Sequence, residues 1–263
     1  MSKRRANDLD LDYYKDIVHS GFPLFGVEIE LEHTDREGFD LYLWNTWCDL
    51  FEAHEIQTKL DGSLSYSGGM EFVTPAAQLG WHKTFTRSPV FDVWQNNFDS
   101  HRRATGMHVH ICKPKDFTFE QQRRFQWKLL RLLNKPDHKA WTKEIAGRAE
   151  NSYATARTPI LQAMLNRDNY YGRYNNIADT GKTYEFRLFQ STHDPETYYS
   201  RLCWVYSLWS WAQDNLTSDV NSISNYLNYL KEYNSDESFA IAADVAARAY
   251  RTVNPDAALV ISI

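Results

Sequence analysis

Four short stretches of the chain carry ionisable side chains at the two-residue spacing of a β-strand. Glu28 and Glu30 stand in Phe25-Gly26-Val27-Glu28-Ile29-Glu30-Leu31-Glu32, and Glu71 stands in Met70-Glu71-Phe72-Val73. His108 and His110 stand in Met107-His108-Val109-His110-Ile111, and Glu185 and Arg187 in Thr183-Tyr184-Glu185-Phe186-Arg187-Leu188-Phe189. Alternate side chains of a strand share a face, so each stretch sends its apolar residues one way and its charged or imidazole groups the other. Singly each is ordinary, since a polar strand face commonly meets water and an exposed ion pair contributes little. Together they place three or more carboxylates and one or two imidazoles on one sheet surface. That much like charge raises carboxylate pKa values unless a cation neutralises it, and a divalent metal is the natural candidate. Oxygen-rich ligand sets with few histidines favour Mg²⁺ or Mn²⁺ over Zn²⁺, and Mg²⁺ keeps waters and bridges phosphates. Arginine's planar fork suits phosphate oxygens. Acids, metal and arginine together indicate nucleotide-driven phosphoryl transfer.

The elements that would position these groups are legible in the hydrophobic pattern. Leu24 to Glu32 alternates as a half-buried strand, and Gly106 to Cys112 does the same. Residues 56–75 predict a hairpin, with Asp61-Gly62 and Gly68-Gly69 as turn signals and Pro75 as its stop. Between these strands, Phe39 to His54 carries Leu43, Trp47, Leu50 and Phe51 at helical spacing, and residues 80–100 predict partial helix interrupted by Pro89. Thr118 with Gln121 predicts a capping box opening a helix to about Asn134. A polar helical region is expected from there to about Leu165, then an Asn- and Tyr-rich loop over Asn166–Asn176. Asp194-Pro195 predicts the start of an apolar core helix, and two more helices follow from Ser218. Residues 1–20 read as a polar lead-in with a short helix around Tyr13–Val18, residues 21–263 as one catalytic domain, and residues 194–263 as its helical C-terminal part. There is no internal repeat or low-complexity tract.

Composition narrows the class. At 263 residues and 43% hydrophobic, with 16 Tyr, 14 Phe and 9 Trp, the chain can bury a large core. No stretch approaches the ~20 apolar residues that span a bilayer. No apolar segment follows the basic start Met1-Ser2-Lys3-Arg4-Arg5, so a cytoplasmic protein without membrane partners is expected. Cys48, Cys112 and Cys203 are far apart without a CxxC pair, which argues against a disulfide framework or thiolate metal site and for buried small hydrophobes. A net charge of −5 disfavours bulk nucleic-acid binding. The local basic pairs Arg102-Arg103 and Arg123-Arg124 read as solvated faces before phosphate sites.

Four blocks in order resemble the motifs of the amidoligase family. They are Phe25-Gly26-Val27-Glu28-Ile29-Glu30; Asp61-Gly62-Ser63-Leu64 with Gly69-Met70-Glu71-Phe72-Val73-Thr74-Pro75; Thr105-Gly106-Met107-His108-Val109-His110; and Thr183 to Phe189. That family belongs to the carboxylate–amine ligase superfamily, with glutamine synthetase and glutamate–cysteine ligase. The resemblance runs from about Phe25 to Thr192. It implies an α+β fold in a single domain, a curved, mainly antiparallel sheet whose concave face binds ATP and Mg²⁺ and whose convex face carries helices. By the same resemblance Glu28, Glu30, Glu71, His108 and Glu185 are metal ligands, and His110 is a partner of His108. Arg187 resembles the arginine that steadies the transferred phosphoryl group. Arg148 and Arg173 are phosphate or substrate candidates by position alone. These roles require that Glu185 and Arg187 not neutralise each other. The chain departs from glutamine synthetase in having no Lys-Pro segment ahead of Gly106 and no recognisable ammonium pocket, which turns the expectation away from ammonia as the nucleophile.

The expected activity is therefore ATP-dependent amide formation between a carboxylate and an amine, small-molecule or peptide, through an acyl phosphate. Oligomerisation is left open, since ring assembly occurs in part of the superfamily. The alternatives are a phosphotransferase related to guanidino kinases, which share the catalytic fold; a non-catalytic nucleotide- or ligand-binding protein; and a metal hydrolase built on His108 and His110.

Overall fold

The structure is a computed structural model that describes residues 23–34, 41–60, 69–100, 105–151, 154–157, 160–165 and 174–257. The lead-in helix near Tyr13–Val18, the Asp61-Gly62 turn, Arg102-Arg103 and most of the Asn166–Asn176 loop, Arg173 included, lie outside them. The described residues fall into two compact units: those up to Ile111 together with Gln190–Tyr199, and those from Cys112 to Phe189 together with those from Ser200 onward. Strands within each unit pair antiparallel and helices accompany them, so the class is α+β.

In the first unit, β1 (Phe25–His33) is flanked by β3 (Gly69–Val73) and β5 (Gly106–Cys112, whose last residue belongs to the second unit). β2 (Gln57–Leu60) pairs with β3, and the two-residue β4 (Phe98–Asp99) pairs with the end of β1. The apolar halves of the alternation form the core: Val27, Ile29, Leu31, Phe72, Met107, Val109 and Ile111 are all buried. α1 (Leu41–Ala53), α2 (Leu79–Phe85) and α3 (Pro89–Asn97) add aromatic side chains to those of the strands in this unit. The Phe72 ring meets Phe51, Trp94 and Phe98 at centroid distances of 5.1–5.3 Å. Burying a side chain of that size contributes about 2–3 kcal/mol. Pro89 does not interrupt a helix but begins one, at a position where its missing N–H has no intrahelical partner to lose. Thr74 and Pro75 end the β3 ladder. The Thr74 N–H donates to the Val27 carbonyl, and its hydroxyl accepts the Val27 N–H at 2.9 Å, just before a proline that has no N–H to offer.

In the second unit, α4 (Phe119–Asn134) opens with the expected capping box at Thr118 and Gln121. α5 (Lys139–Ala146) stops at Gly147, whose φ of 74° suits a left-handed cap, so the region expected to be helical up to Leu165 is broken after one short helix. α6 (Leu161–Leu165) follows. β6 (Ile177–Asp179) and β7 (Thr183–Gln190) make a hairpin whose connection needs Gly181 at φ 92°. α7 (Pro195–Asp214) begins with the Asp194 carboxylate accepting the Thr197 N–H at 2.7 Å, and passes from the first unit to the second after Tyr199. α8 (Ile223–Glu232) and α9 (Glu237–Val253) are capped by Ser222 and Asp236. The alanine face of α9 (Ala242, Ala243, Ala246, Ala247) is buried, and its Ala246 carbonyl accepts the Trp141 indole N–H at 2.9 Å. Cys203 is buried as expected, whereas Cys48 and Cys112 are only half-buried, and all three are free thiols.

Candidate functional site

Strand register decides which ionisable groups meet. Across β1 and β5, Glu28 lies opposite His108 and Gly26 opposite His110; across β1 and β3, Glu30 lies opposite Glu71; across β2 and β3, Lys59 lies opposite Glu71. Opposed residues share a face. Lys59, Glu71, Glu30, Glu28, His108 and His110 therefore make one polar face of the first unit, opposite the side formed by Val27, Ile29 and Phe72. The expectation of a half-buried strand with a polar outer face needs correcting, because this face too is withdrawn from water: Glu30 is 7% exposed, and His108 and His110 are each 8% exposed.

Glu28 is the centre of that face. Its Oε2 lies 3.3 Å from His108 Nδ1 and its Oε1 lies 3.5 Å from His110 Nε2. Burial pushes the Glu28 pKa up, but the two imidazoles outweigh burial and hold the carboxyl well below the usual carboxylate range. Ligand atoms held about 2.0–2.2 Å from one ion sit roughly 3–3.5 Å from each other. Each Glu28 oxygen has that spacing to one imidazole nitrogen, so either the Glu28–His108 or the Glu28–His110 pair can contribute two ligands to a divalent cation. Glu30 and Glu71 are differently engaged. Glu30 Oε2 accepts the Gly106 N–H at 2.6 Å, and Glu71 Oε1 pairs with Lys59 Nζ at 2.8 Å. Lys59 was not picked out from the sequence. The signal for it was there, since Lys59 stands in the partner strand of a hairpin, on the face that Glu71 occupies.

In the second unit, the Tyr184 ring stacks on Phe125 at 5.3 Å, and the Tyr184 hydroxyl donates to the Gln122 carbonyl at 2.7 Å. Glu185 and Arg187 share the other face of β7 and are joined, Nη1 to Oε1, at 2.5 Å. The expectation that they stay apart is overturned for this state of the protein. The reason is that the Glu185 side chain is only 8% exposed, and a carboxylate so far out of water takes the nearest cation, here two residues along the same strand face. The pair does not face open solvent. Arg148 donates from Nε to the Leu188 carbonyl at 3.2 Å and from Nη2 to the Arg187 carbonyl at 2.7 Å, so it braces the backbone that carries Arg187. Sequence reasoning also missed Asp179, which is gripped by Lys113 at 2.6 Å and Arg123 at 3.1 Å. The first arginine of the Arg123-Arg124 pair is thus half-buried and structural, while Arg124 pairs on the surface with Glu120.

No known protein-family profile matches this sequence, and no curated protein matches it by sequence. Among solved structures, the chain is similar to a novel glutamine synthase homolog at 13% identity and a TM-score of 0.44, over 96% of this chain and 70% of that one. It is similar to the complex between the prokaryotic ubiquitin-like protein Pup and its ligase PafA at 9% identity and a TM-score of 0.41, over 91% of this chain and 65% of that one. A bifunctional glutathione synthetase from Pasteurella multocida matches at 12% identity and a TM-score of 0.34, over 95% of this chain and 49% of that one. These are distant likenesses.

Of the residues singled out from the sequence, the first unit gathers Glu28, Glu30, Glu71, His108 and His110 on one face, and the second holds Glu185, Arg187 and Arg148 on and behind β7. No helix among the described residues is long and apolar enough to cross a membrane.

Proposed function

We propose that the protein is an ATP-dependent carboxylate–amine ligase that uses Mg²⁺ or Mn²⁺ and forms an amide through an acyl phosphate. The observation that carries this reading is the Glu28 carboxylate set between two imidazoles at ligand spacing and kept ionised by them. Glu28, His108 and His110 would hold the metal, with Glu30, Glu71 and Glu185 as further acidic ligands. When bound, the metal supplies charge neutralisation for the nucleotide phosphates. Arg187 exchanges its bond to Glu185 for the transferred phosphoryl oxygens, which its fork meets bidentately. Arg148 is a positioning residue, holding the Arg187 and Leu188 carbonyls so that the arginine projects from a fixed backbone. Arg173 is retained as a substrate or phosphate contact. The substrate carboxylate attacks the γ-phosphorus, ADP leaves, the amine attacks the acyl carbon, and phosphate departs.

The test is ADP release measured with panels of carboxylates and amines in Mg²⁺ or Mn²⁺. Turnover that needs all three of ATP, carboxylate and amine supports the ligase. Release of ADP with a stable phosphorylated product and no amine requirement favours the phosphotransferase, and nucleotide binding without turnover favours the non-catalytic binder. Absence of both turnover and nucleotide binding sinks the proposal. One observation favours a second reading: two imidazoles and one carboxylate also suit Zn²⁺ in a hydrolase. Zinc retained through purification, with ester or amide hydrolysis in the absence of ATP, would select it.

A further inference from the structure

One face of α4 is not used by the reading above. Arg124, Trp127, Arg131 and the helix-terminal Lys135 follow one another at three- and four-residue steps, and so lie in a single stripe along the helix. Across from the stripe run Ile160, Leu161, Gln162 and Leu165, and between the two walls lies a groove of about 680 Å³. Its described lining contains three cationic side chains and no Asp or Glu. This stands against the charge of the whole chain, which is −5.

The groove also has an apolar component that is out of place on a surface. Ile160 is 77% exposed, the most exposed large hydrophobic side chain described, and it stands beside the half-buried Leu161 and Leu165. The Trp127 ring has the Arg131 guanidinium over it at 4.9 Å, an arrangement that holds the arginine's charge at a fixed place on the wall. Among the described residues, Arg124 is held by Glu120 alone, one turn away, with both side chains open to solvent (42% and 61% exposed). An exposed pair of that kind contributes little, so Arg124 can exchange its partner. Lys135 is committed elsewhere, its ammonium donating to the Asn221 carbonyl. Two arginines are thus left about two helical turns apart, with aromatic and aliphatic surface beside them.

We propose that this groove docks an acidic peptide segment that presents an apolar side chain. Two carboxylates would meet Arg124 and Arg131, and the apolar residue would cover Ile160, Leu161 and Leu165. A peptide fits the site better than a nucleic-acid strand, because the Trp127 face is already covered by the Arg131 guanidinium, the opposite wall is aliphatic, and the arginine pair stands on a chain of net negative charge. The groove shares no residue with the proposed ligase site, so the two proposals succeed or fail separately.

The experiment is fluorescence anisotropy on the full chain without nucleotide or metal. The probes are a labelled, end-blocked hexapeptide of sequence Asp-Glu-Leu-Asp-Glu-Leu, its Lys-for-acid counterpart, and a six-nucleotide single-stranded DNA. The expected result is saturable binding of the acidic peptide only, weakening as salt rises. Removing both guanidinium contacts in the R124A/R131A double variant weakens it about tenfold or more. Ile160→Ser weakens it likewise and, by leaving the charge of the groove unchanged, separates the apolar contribution from the electrostatic one. Both variants alter exposed or half-exposed positions, and unchanged thermal midpoints confirm folded protein. No binding of the acidic peptide, equal or tighter binding of the DNA, or binding indifferent to the two variants would each overturn the proposal.

Discussion

Glu28 is ionised for a reason that reaches beyond its strand, because burial and the imidazoles of His108 and His110 pull its pKa in opposite directions and the imidazoles win. Its folded pKa is therefore depressed. The stabilisation it contributes is fully present above the unfolded value near ~4.3 and is lost as pH falls through the folded value. Glu28→Gln should make the acid limb of the stability curve shallower, read by thermal melts between pH 3 and 7, and should weaken Mn²⁺ binding by calorimetry about 100-fold or more. A variant that binds Mn²⁺ as the parent does removes Glu28 from the metal set. At Glu71 the decisive neighbour is Lys59. Lys59→Met leaves a half-buried carboxylate without that ammonium and is expected to cost about 1 kcal/mol of unfolding free energy in urea titration. At β7, under the proposed ligase reading, Arg187→Lys keeps the charge but loses the fork, so any ATP-dependent turnover is expected to fall about 100-fold while the melting temperature stays close to that of the parent.

Elements in this protein are set by their ends as much as by their faces. Thr118 and Gln121 close the first turn of α4 with bonds of 3.3 and 2.8 Å, and Thr118→Ala should lower stability by about 1 kcal/mol. His82 on α2 is a tertiary knot within the first unit. It is fully buried, with Nδ1 2.7 Å from the Tyr198 hydroxyl and Nε2 3.1 Å from the Phe25 carbonyl. The carbonyl can only accept, so Nε2 carries the proton, and Nδ1 accepts from Tyr198. Burial lowers the His82 pKa from 6.5 to about 4, against the opposing effect of the Phe25 carbonyl. Between those two values the unfolded chain binds the proton and the folded one does not, so stability rises with pH across that window, by about 3 kcal/mol in all. Melting temperature should accordingly drop as pH is lowered from 7 to 4.5. His82→Phe should be less stable at pH 7 yet show a flatter pH response; an unchanged slope would mean that another group governs it.

For the molecule as a whole, the proposed ligase reading predicts that Mn²⁺ and ATP together raise the melting temperature, by mass action on the native state, as much as about 2.7 kcal/mol at a hundredfold excess over the dissociation constant. That shift should be lost in Glu28→Gln. What the sequence determined by itself was local. Period-two alternation marked β1, β5 and β7, the cap residues Thr118 and Asp194 marked helix starts, and the apolar side of each strand was legible because burial and spacing are properties of a few neighbouring residues. The same logic put Glu28 with Glu30, His108 with His110 and Glu185 with Arg187 on shared faces. It also carried errors where a local signal had two meanings, as at Pro89, which can break a helix or begin one. Only the tertiary structure decided the rest. Register placed Glu28 opposite His108, Glu30 opposite Glu71 and Lys59 opposite Glu71, and register is a long-range quantity that composition does not carry. Burial of the polar face was equally beyond the pattern, since alternation says which side chains point together but not whether water reaches them. That burial converts the Glu185–Arg187 pair from two separate groups into a closed ion pair, and makes Glu28 depend on two imidazoles some eighty residues away in the chain.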